Sequence, residues 1–354
     1  MKKYSLFFII VLLLASCAKA VQSAQQNRNA SFSKIEIDTL LKDSISIRAI
    51  MIDDHRVWYA GNKGKYGYVG LDGDNAFSSR ITIGTVLPEF RSIAKTAKNI
   101  FIASIGNPGI VYSISKDGHT VKPIYREENE KVFYDSMQFW SDKEGIAMGD
   151  PTENCLSVII SRDGGTTWKK KECSDLPALT DGEAAFAASN TNLIVKGKHT
   201  WMVSGGINSR VFYSADKGKS WKVYATPIVK GKSMTGIFTA GFYDKDNGII
   251  AGGDYELPES NEANKAITSD GGKTWKLIAD KQAFGYTSCI QYVPDSKARQ
   301  IVSVGASGLQ YSSDSGQTWK QLLKDKDLYT IRFINATTAV AAGRNRIIKI
   351  EFKI

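Results

Sequence analysis

Ser161-Arg162-Asp163-Gly164-Gly165-Thr166-Thr167-Trp168 is the stretch whose reading decides the fold, because it occurs four times. The other copies are Ser214 to Trp221, Thr268 to Trp275 and Ser312 to Trp319, each with Ser or Thr first, Asp third, Gly fifth and Trp eighth. An Asp in the third position can accept hydrogen bonds from the turn's own N–H groups, and a Gly in the fifth supplies a positive φ. The Trp can then cover the hairpin end against a neighbouring sheet. Two weaker copies without the Trp lie upstream, around Asp72 and Asp117. Successive aspartates 72, 117, 163, 216, 270 and 314 are 45, 46, 53, 54 and 44 residues apart, a period that marks a propeller blade or a solenoid repeat.

A second register gives the number of repeats. Short β-branched or Ala-rich runs end in Gly at Val57 to Gly61, Phe101 to Gly106, Ile146 to Gly149, Trp201 to Gly205, Ile249 to Gly253, Ile301 to Gly305 and Ala339 to Gly343. Seven such strands with only six Asp-turns suit a ring whose last blade takes its outer strand from the N-terminus. Ser33 to Leu40 alternates apolar and polar residues and is the natural closing strand. The expected fold is therefore all-β: a seven-bladed β-propeller of four-stranded blades over residues 31–354, closed by an N-terminal strand, with a β-sandwich as the lesser alternative.

The chain opens with an address. Lys2 and Lys3 precede an apolar run from Leu6 to Ala15, about half the length a membrane-spanning helix needs. It ends in Leu14-Ala15-Ser16-Cys17, which resembles the lipobox of bacterial lipoproteins. Residues 1–16 read as a signal peptide, Cys17 as the lipidated mature N-terminus, and residues 17–30 as the lipidated Cys with a flexible tether. The resemblance implies an exported lipoprotein, held at a membrane by its acyl chains; Ala18 after the Cys favours the outer membrane, on its periplasmic or surface face. Processing removes two lysines and no acid, taking the formal charge from +10 to +8.

Composition narrows the function classes. Among 354 residues, 42% are hydrophobic and 23% charged, ordinary globular usage that excludes collagen, coiled coil and wholesale disorder. The positive charge is dispersed rather than blocked, so no nucleic-acid partner is expected. His55, His119 and His199 fall in separate repeats, and no phosphate-binding glycine loop follows a strand into a helix; no metal or other cofactor is expected. Trp58, Trp140 and Trp201 read as packing between blades.

The Asp-turns share one face of a propeller and are structural, so the functional search moves to the opposite face, where loops can vary. There Asp150 and Asp254 follow glycine-ended strands, Asn208 and Arg210 come from the blade between, and Glu183 enters that blade through its incoming loop. Asp150, Glu183, Asn208, Arg210, Asp254 and Tyr255 are the candidate binding residues. If the protein is an enzyme, Asp150, Glu183 and Asp254 are the candidate catalytic carboxylates, suited to glycoside hydrolysis. An equally simple reading has each acid capping a loop N–H or pairing with Arg210. Cys155 and Cys173 lie nine residues either side of Gly164, so they face each other across the hairpin and can form a disulfide in an exported protein; Cys289 is left over.

The repeated turns are Asp-boxes, shared by sialidases, other glycan-active propellers and the photosystem II stability/assembly factor family. The chain most resembles the last, over nearly all of residues 46–350. The likeness rests on the unit shown by Phe139 to Gly149 and by Phe242 to Gly252: an aromatic-ending strand, a polar turn with Gly, and an apolar strand ending in Gly. Sialidases need an Arg-Ile-Pro motif, and Arg80-Ile81-Thr82 lacks the Pro. The resemblance implies a non-enzymatic binding or assembly scaffold. The expectation is thus a lipid-anchored scaffold of the cell envelope, a monomer, presenting the face opposite the Asp-boxes to a protein or glycan; the alternative is a glycoside hydrolase-like glycan-processing enzyme.

Overall fold

The computed structural model describes residues 31–354, so the signal peptide, Cys17 and the tether lie outside the described residues. The described chain is antiparallel β-structure throughout, with a single 3-10 turn at Cys173–Asp175. Its strands hydrogen-bond into six sheets, four of four strands and two of six. The expected seven blades are corrected to six sheets. The reason lies in the strand Lys34–Asp53, 20 residues long, which serves two repeats at once. Its first part runs antiparallel to Thr338–Lys353, from Lys34 opposite Lys353 to Ser46 opposite Arg344. Its second part pairs with Arg56–Gly61, from Ile47 opposite Gly61 to Asp53 opposite Arg56. First and last repeats therefore share one sheet, and a count of glycine-ended strands scores that sheet twice.

Apolar side chains from adjoining sheets interlock. Trp201 of one sheet stacks on Phe242 of the next at 3.9 Å, within a buried cluster that includes Val203, Val211, Ile237 and Ile250. Trp58 and Trp201 are fully buried, whereas Trp140 is half-buried and donates to Thr200 Oγ1 at 2.8 Å. The four complete Asp-boxes repeat one hydrogen-bond set. Asp163 accepts the Thr167 N–H at 2.9 Å on one oxygen and the Thr167 hydroxyl at 2.6 Å on the other, while Ser161 Oγ accepts the Gly165 N–H at 2.9 Å. Asp216, Asp270 and Asp314 do the same with Ser220, Thr274 and Thr318. Cys155 and Cys173 are joined by a disulfide with their Cα atoms 5.5 Å apart, and Cys289 is a buried free thiol.

One irregularity recurs at the start of the inner strands. The pairing slips by one residue between Ile47 and Ala49, Phe90 and Ser92, Tyr134 and Ser136, Ile237 and Thr239, Thr287 and Cys289, and Leu328 and Thr330. Each slip is a β-bulge, which leaves one residue out of the ladder and re-aims its side chain. The bulged residues are Arg48, Arg91, Asp135, Phe238, Ser288 and Tyr329.

Candidate functional site: a plugged channel and its two mouths

The segment from Ala187 to Asn192 is buried and lies outside any strand. Its polar groups are taken by nearly every surrounding inner strand. Arg91, Arg48 and Arg332 donate to three successive carbonyls, those of Ala187 at 3.1 Å, Ala188 at 3.2 Å and Ser189 at 2.9 Å. Asn190 Nδ2 donates to Ile93 O at 2.9 Å while its Oδ1 accepts the Met137 N–H at 3.0 Å. Ser189 Oγ donates to Ser288 O at 2.6 Å, and Thr191 Oγ1 meets Thr239 Oγ1 at 2.7 Å. The segment is a plug with a cavity on either side. Asn190 and Thr191 border one of about 580 Å³, toward the Asp-box face, with Lys95, Lys196, Tyr292 and Arg332. Ala187 and Ala188 border the other, of about 410 Å³, on the opposite face.

The second cavity collects bulged residues: Arg48, Arg91, Asp135 and Phe238 line it, together with Asp150 and Tyr255. Asp135 is fully buried, and neither of its carboxylate oxygens has a hydrogen-bond partner. Burial, reinforced by the nearby Asp150 charge, holds its carboxyl well above the usual range against the opposing pull of the Arg91 charge. Asp150 is pushed up to about 6, chiefly by burial, although its Oδ1 accepts the Ala185 N–H at 2.9 Å. Aromatic rings form the wall: Phe186 stacks on Phe238 at 4.0 Å, Tyr286 meets Phe238 edge-on at 4.8 Å, and Tyr255 meets Tyr286 edge-on at 5.2 Å.

Of the six candidate binding residues, the structure brings Asp150 and Tyr255 to this cavity and spends the others nearby. Glu183 is buried; its carboxylate takes Arg210 Nε at 2.8 Å and a second guanidinium N–H at 2.5 Å, with Ser204 Oγ also at 2.5 Å. That saturates Glu183 and orients Arg210. Asn208 donates to Thr180 Oγ1 at 2.6 Å. Asp254 closes its own loop by accepting the Glu256 and Leu257 N–H groups at 2.9 and 3.1 Å, with Lys232 at 3.7 Å. Arg48, Arg91 and Asp135 are absent from the sequence candidates. The signal was a charged residue directly after an apolar or aromatic one at the start of three inner strands, in Ile47-Arg48, Phe90-Arg91 and Tyr134-Asp135. Only the bulge turns those charges inward.

Fold and turn chemistry together define an Asp-box β-propeller, and the BNR/Asp-box repeat family model matches residues 159–170. The fold is similar to that of YCF48. The structure of YCF48 bound to D1 peptide aligns over 92% of this chain and 97% of its own with a TM-score of 0.65 at 15% identity. YCF48 from Cyanidioschyzon merolae covers 89% and 98% with a TM-score of 0.62 at 12% identity. A GH74 xyloglucanase from Xanthomonas campestris shares the fold with a TM-score of 0.63 at 10% identity, over 88% of this chain and 53% of that longer one. None of the curated proteins matches in sequence.

Proposed function

We propose that this protein is a non-enzymatic binding scaffold of the cell envelope, lipid-anchored at the outer membrane through Cys17, that docks a protein partner on the face opposite the Asp-boxes. The carrying observation is where exposed apolar side chains fall. Val86, Leu87, Ile207, Tyr255 and Leu257 are 61, 42, 42, 45 and 56% exposed. All five sit on connections that open on the face holding the 410 Å³ cavity. The only other large exposed apolar residues among those described, Ile37 and Ile354, lie on the paired chain ends. An exposed apolar set confined to the face that holds a recess marks an interaction surface. The complex of YCF48 with a peptide supports a polypeptide as the bound class.

Detergent-solubilised envelope tests the reading. The wild-type protein should retain a partner that Tyr255→Ser combined with Leu257→Ser loses, while Lys219→Ser in an Asp-box turn retains it; equal capture by all three would overturn it. Cys17→Ser should release the protein from washed membranes, and unchanged fractionation would remove the anchor. A second reading, glycan processing, draws on Asp150 alone, the one catalytic candidate that lines the cavity and has a carboxyl raised to about 6. It requires turnover of an aryl glycoside or polysaccharide that disappears in Asp150→Asn.

A further inference from the structure

Asp135 and Asp150 line one cavity as a carboxylate pair that no ion pair among the described residues neutralises. The charged and titratable groups facing them come from several elements, and each is committed elsewhere. From the strand Glu89–Lys95, Arg91 gives its Nε to Glu89 at 2.5 Å and another N–H to the plug carbonyl of Ala187. From Lys34–Asp53, Arg48 donates to Ala188 O and lies over the Tyr329 ring, 4.4 Å from its centroid. Glu183, on the short strand Glu183–Ala184, is paired with Arg210. Tyr255 and Tyr286 contribute rings, and burial pushes the Tyr286 phenol up. Among the described residues no cation stands at ion-pair distance from either acid, and neither carboxylate oxygen of Asp135 meets a hydrogen-bond partner.

A carboxylate held out of water must be matched by a proton or by a cation. Burial favours the proton on both acids. A ligand bringing its own positive charge could displace that proton and give the orphaned oxygens of Asp135 the donors they lack. The walls suit such a ligand: the stacked Phe186 and Phe238, with Tyr286 and Tyr255 edge-on to them, offer ring surface for an aliphatic stem and π-faces that attract a cation.

We propose that the 410 Å³ cavity is a socket for a lysine side chain projecting from the docked partner, its stem against the Phe186–Phe238 stack and its ammonium on Asp135 and Asp150. The inference rests on the docking-face reading above and names the group that the centre of that face receives. An anionic group would instead address Arg48 and Arg91, with the opposite response to pH.

Nα-acetyl-L-lysine methylamide tests this without any partner, followed by tyrosine fluorescence and by calorimetry in two buffers of different ionisation enthalpy. The matched probes are its Nε-acetylated, uncharged form and Nα-acetyl-L-glutamate methylamide. The charged lysine probe should bind about tenfold more tightly at pH 8 than at pH 5, with proton release on binding, and the two matched probes should not bind. Asp135→Asn, which keeps the shape, should weaken lysine binding about tenfold or more; Phe186→Leu should weaken it severalfold with the pH profile kept. Unchanged lysine binding in folded Asp135→Asn, or binding of the glutamate probe that tightens as the pH falls, would overturn the proposal. Failure of the lysine probe with partner capture intact removes this inference alone, whereas lysine binding with Tyr255- and Leu257-independent capture removes the docking face alone.

Discussion

The guanidinium of Arg332 donates to the carbonyl of Ser189 at 2.9 Å, across 143 residues of chain. With Arg48 on Ala188 and Arg91 on Ala187, it makes three strands, distant in sequence, hold three consecutive carbonyls of one plug. A buried loop of this kind is tolerable only because its backbone groups find partners, and here long side chains supply them. The plug divides the channel and forms part of the lining of the cavity that carries Asp135.

Asn190 should be the plug's most sensitive residue. It joins Ile93 O to the Met137 N–H through its amide, and its backbone has a φ of +60°. Asn190→Ala leaves both backbone groups unpaired and puts a Cβ-bearing residue without a local hydrogen bond in the left-handed region. A loss of about 2–4 kcal/mol in urea denaturation is expected. Asn190→Gly relieves the backbone part and should recover about 1 kcal/mol of it.

The carboxylate pair fixes the sign of one pH effect. Asp135 and Asp150 have folded-state pKa values above their unfolded ones, Asp150 at about 6, so the native state binds the extra protons. The Asp150 contribution is favourable at low pH and is lost as the pH rises from about 4 through about 6, and Asp135 acts in the same direction. Asp150→Asn should therefore raise the Tm at pH 7, by a stabilisation on the order of 1–3 kcal/mol, and bring little change at pH 4. A Tm series from pH 4 to 8 checks this.

The Asp-boxes act in the opposite direction. Slight burial pushes Asp216 and Asp270 up, but the hydroxyl and backbone donors of their turns outweigh it and hold both at about 2. Their contribution is present above the unfolded value of 3.8 and lost as the pH falls through about 2. Asp270→Asn should make the stability curve shallower between pH 4 and 2 and leave it unchanged in shape between pH 6 and 8. Acid titration of the circular dichroism signal reads both.

Reduction of the Cys155–Cys173 bridge, which closes a loop of 18 residues, should cost about 3 kcal/mol. The cost follows from the greater freedom of the unfolded chain. The double variant Cys155→Ser, Cys173→Ser should match the reduced protein in Tm and be insensitive to dithiothreitol. Cys289, fully buried, should resist labelling until the protein unfolds in every case.

Much of the architecture was legible because its signals are local. Ser161, Asp163 and Gly165 contact one another within four residues, so their spacing alone shows the turn. Facing positions about Gly164 were readable for Cys155 and Cys173 for the same reason. Asp254 and Glu183 were visible as loop acids, but whether such an acid faces a ligand or satisfies its own loop depends on donors. Those of Asp254 are two and three residues away, while that of Glu183, Arg210, is 27 away.

By itself the sequence determined an all-β repeat, its turns and its strand pairs, since hydrogen bonds inside one hairpin depend only on near neighbours and on the period-two pattern of a strand. The number of sheets, the plug and the cavity were decided only in three dimensions. A strand that serves two repeats looks like any other strand until its partners at Thr338–Lys353 and Arg56–Gly61 are known. A bulge, likewise, is a relation between two strands: Asp135 reads as one more polar residue until Tyr134 and Ser136 take adjacent partners, Gly149 and Met148, and leave it beside a cavity with no hydrogen-bond partner for its carboxylate oxygens.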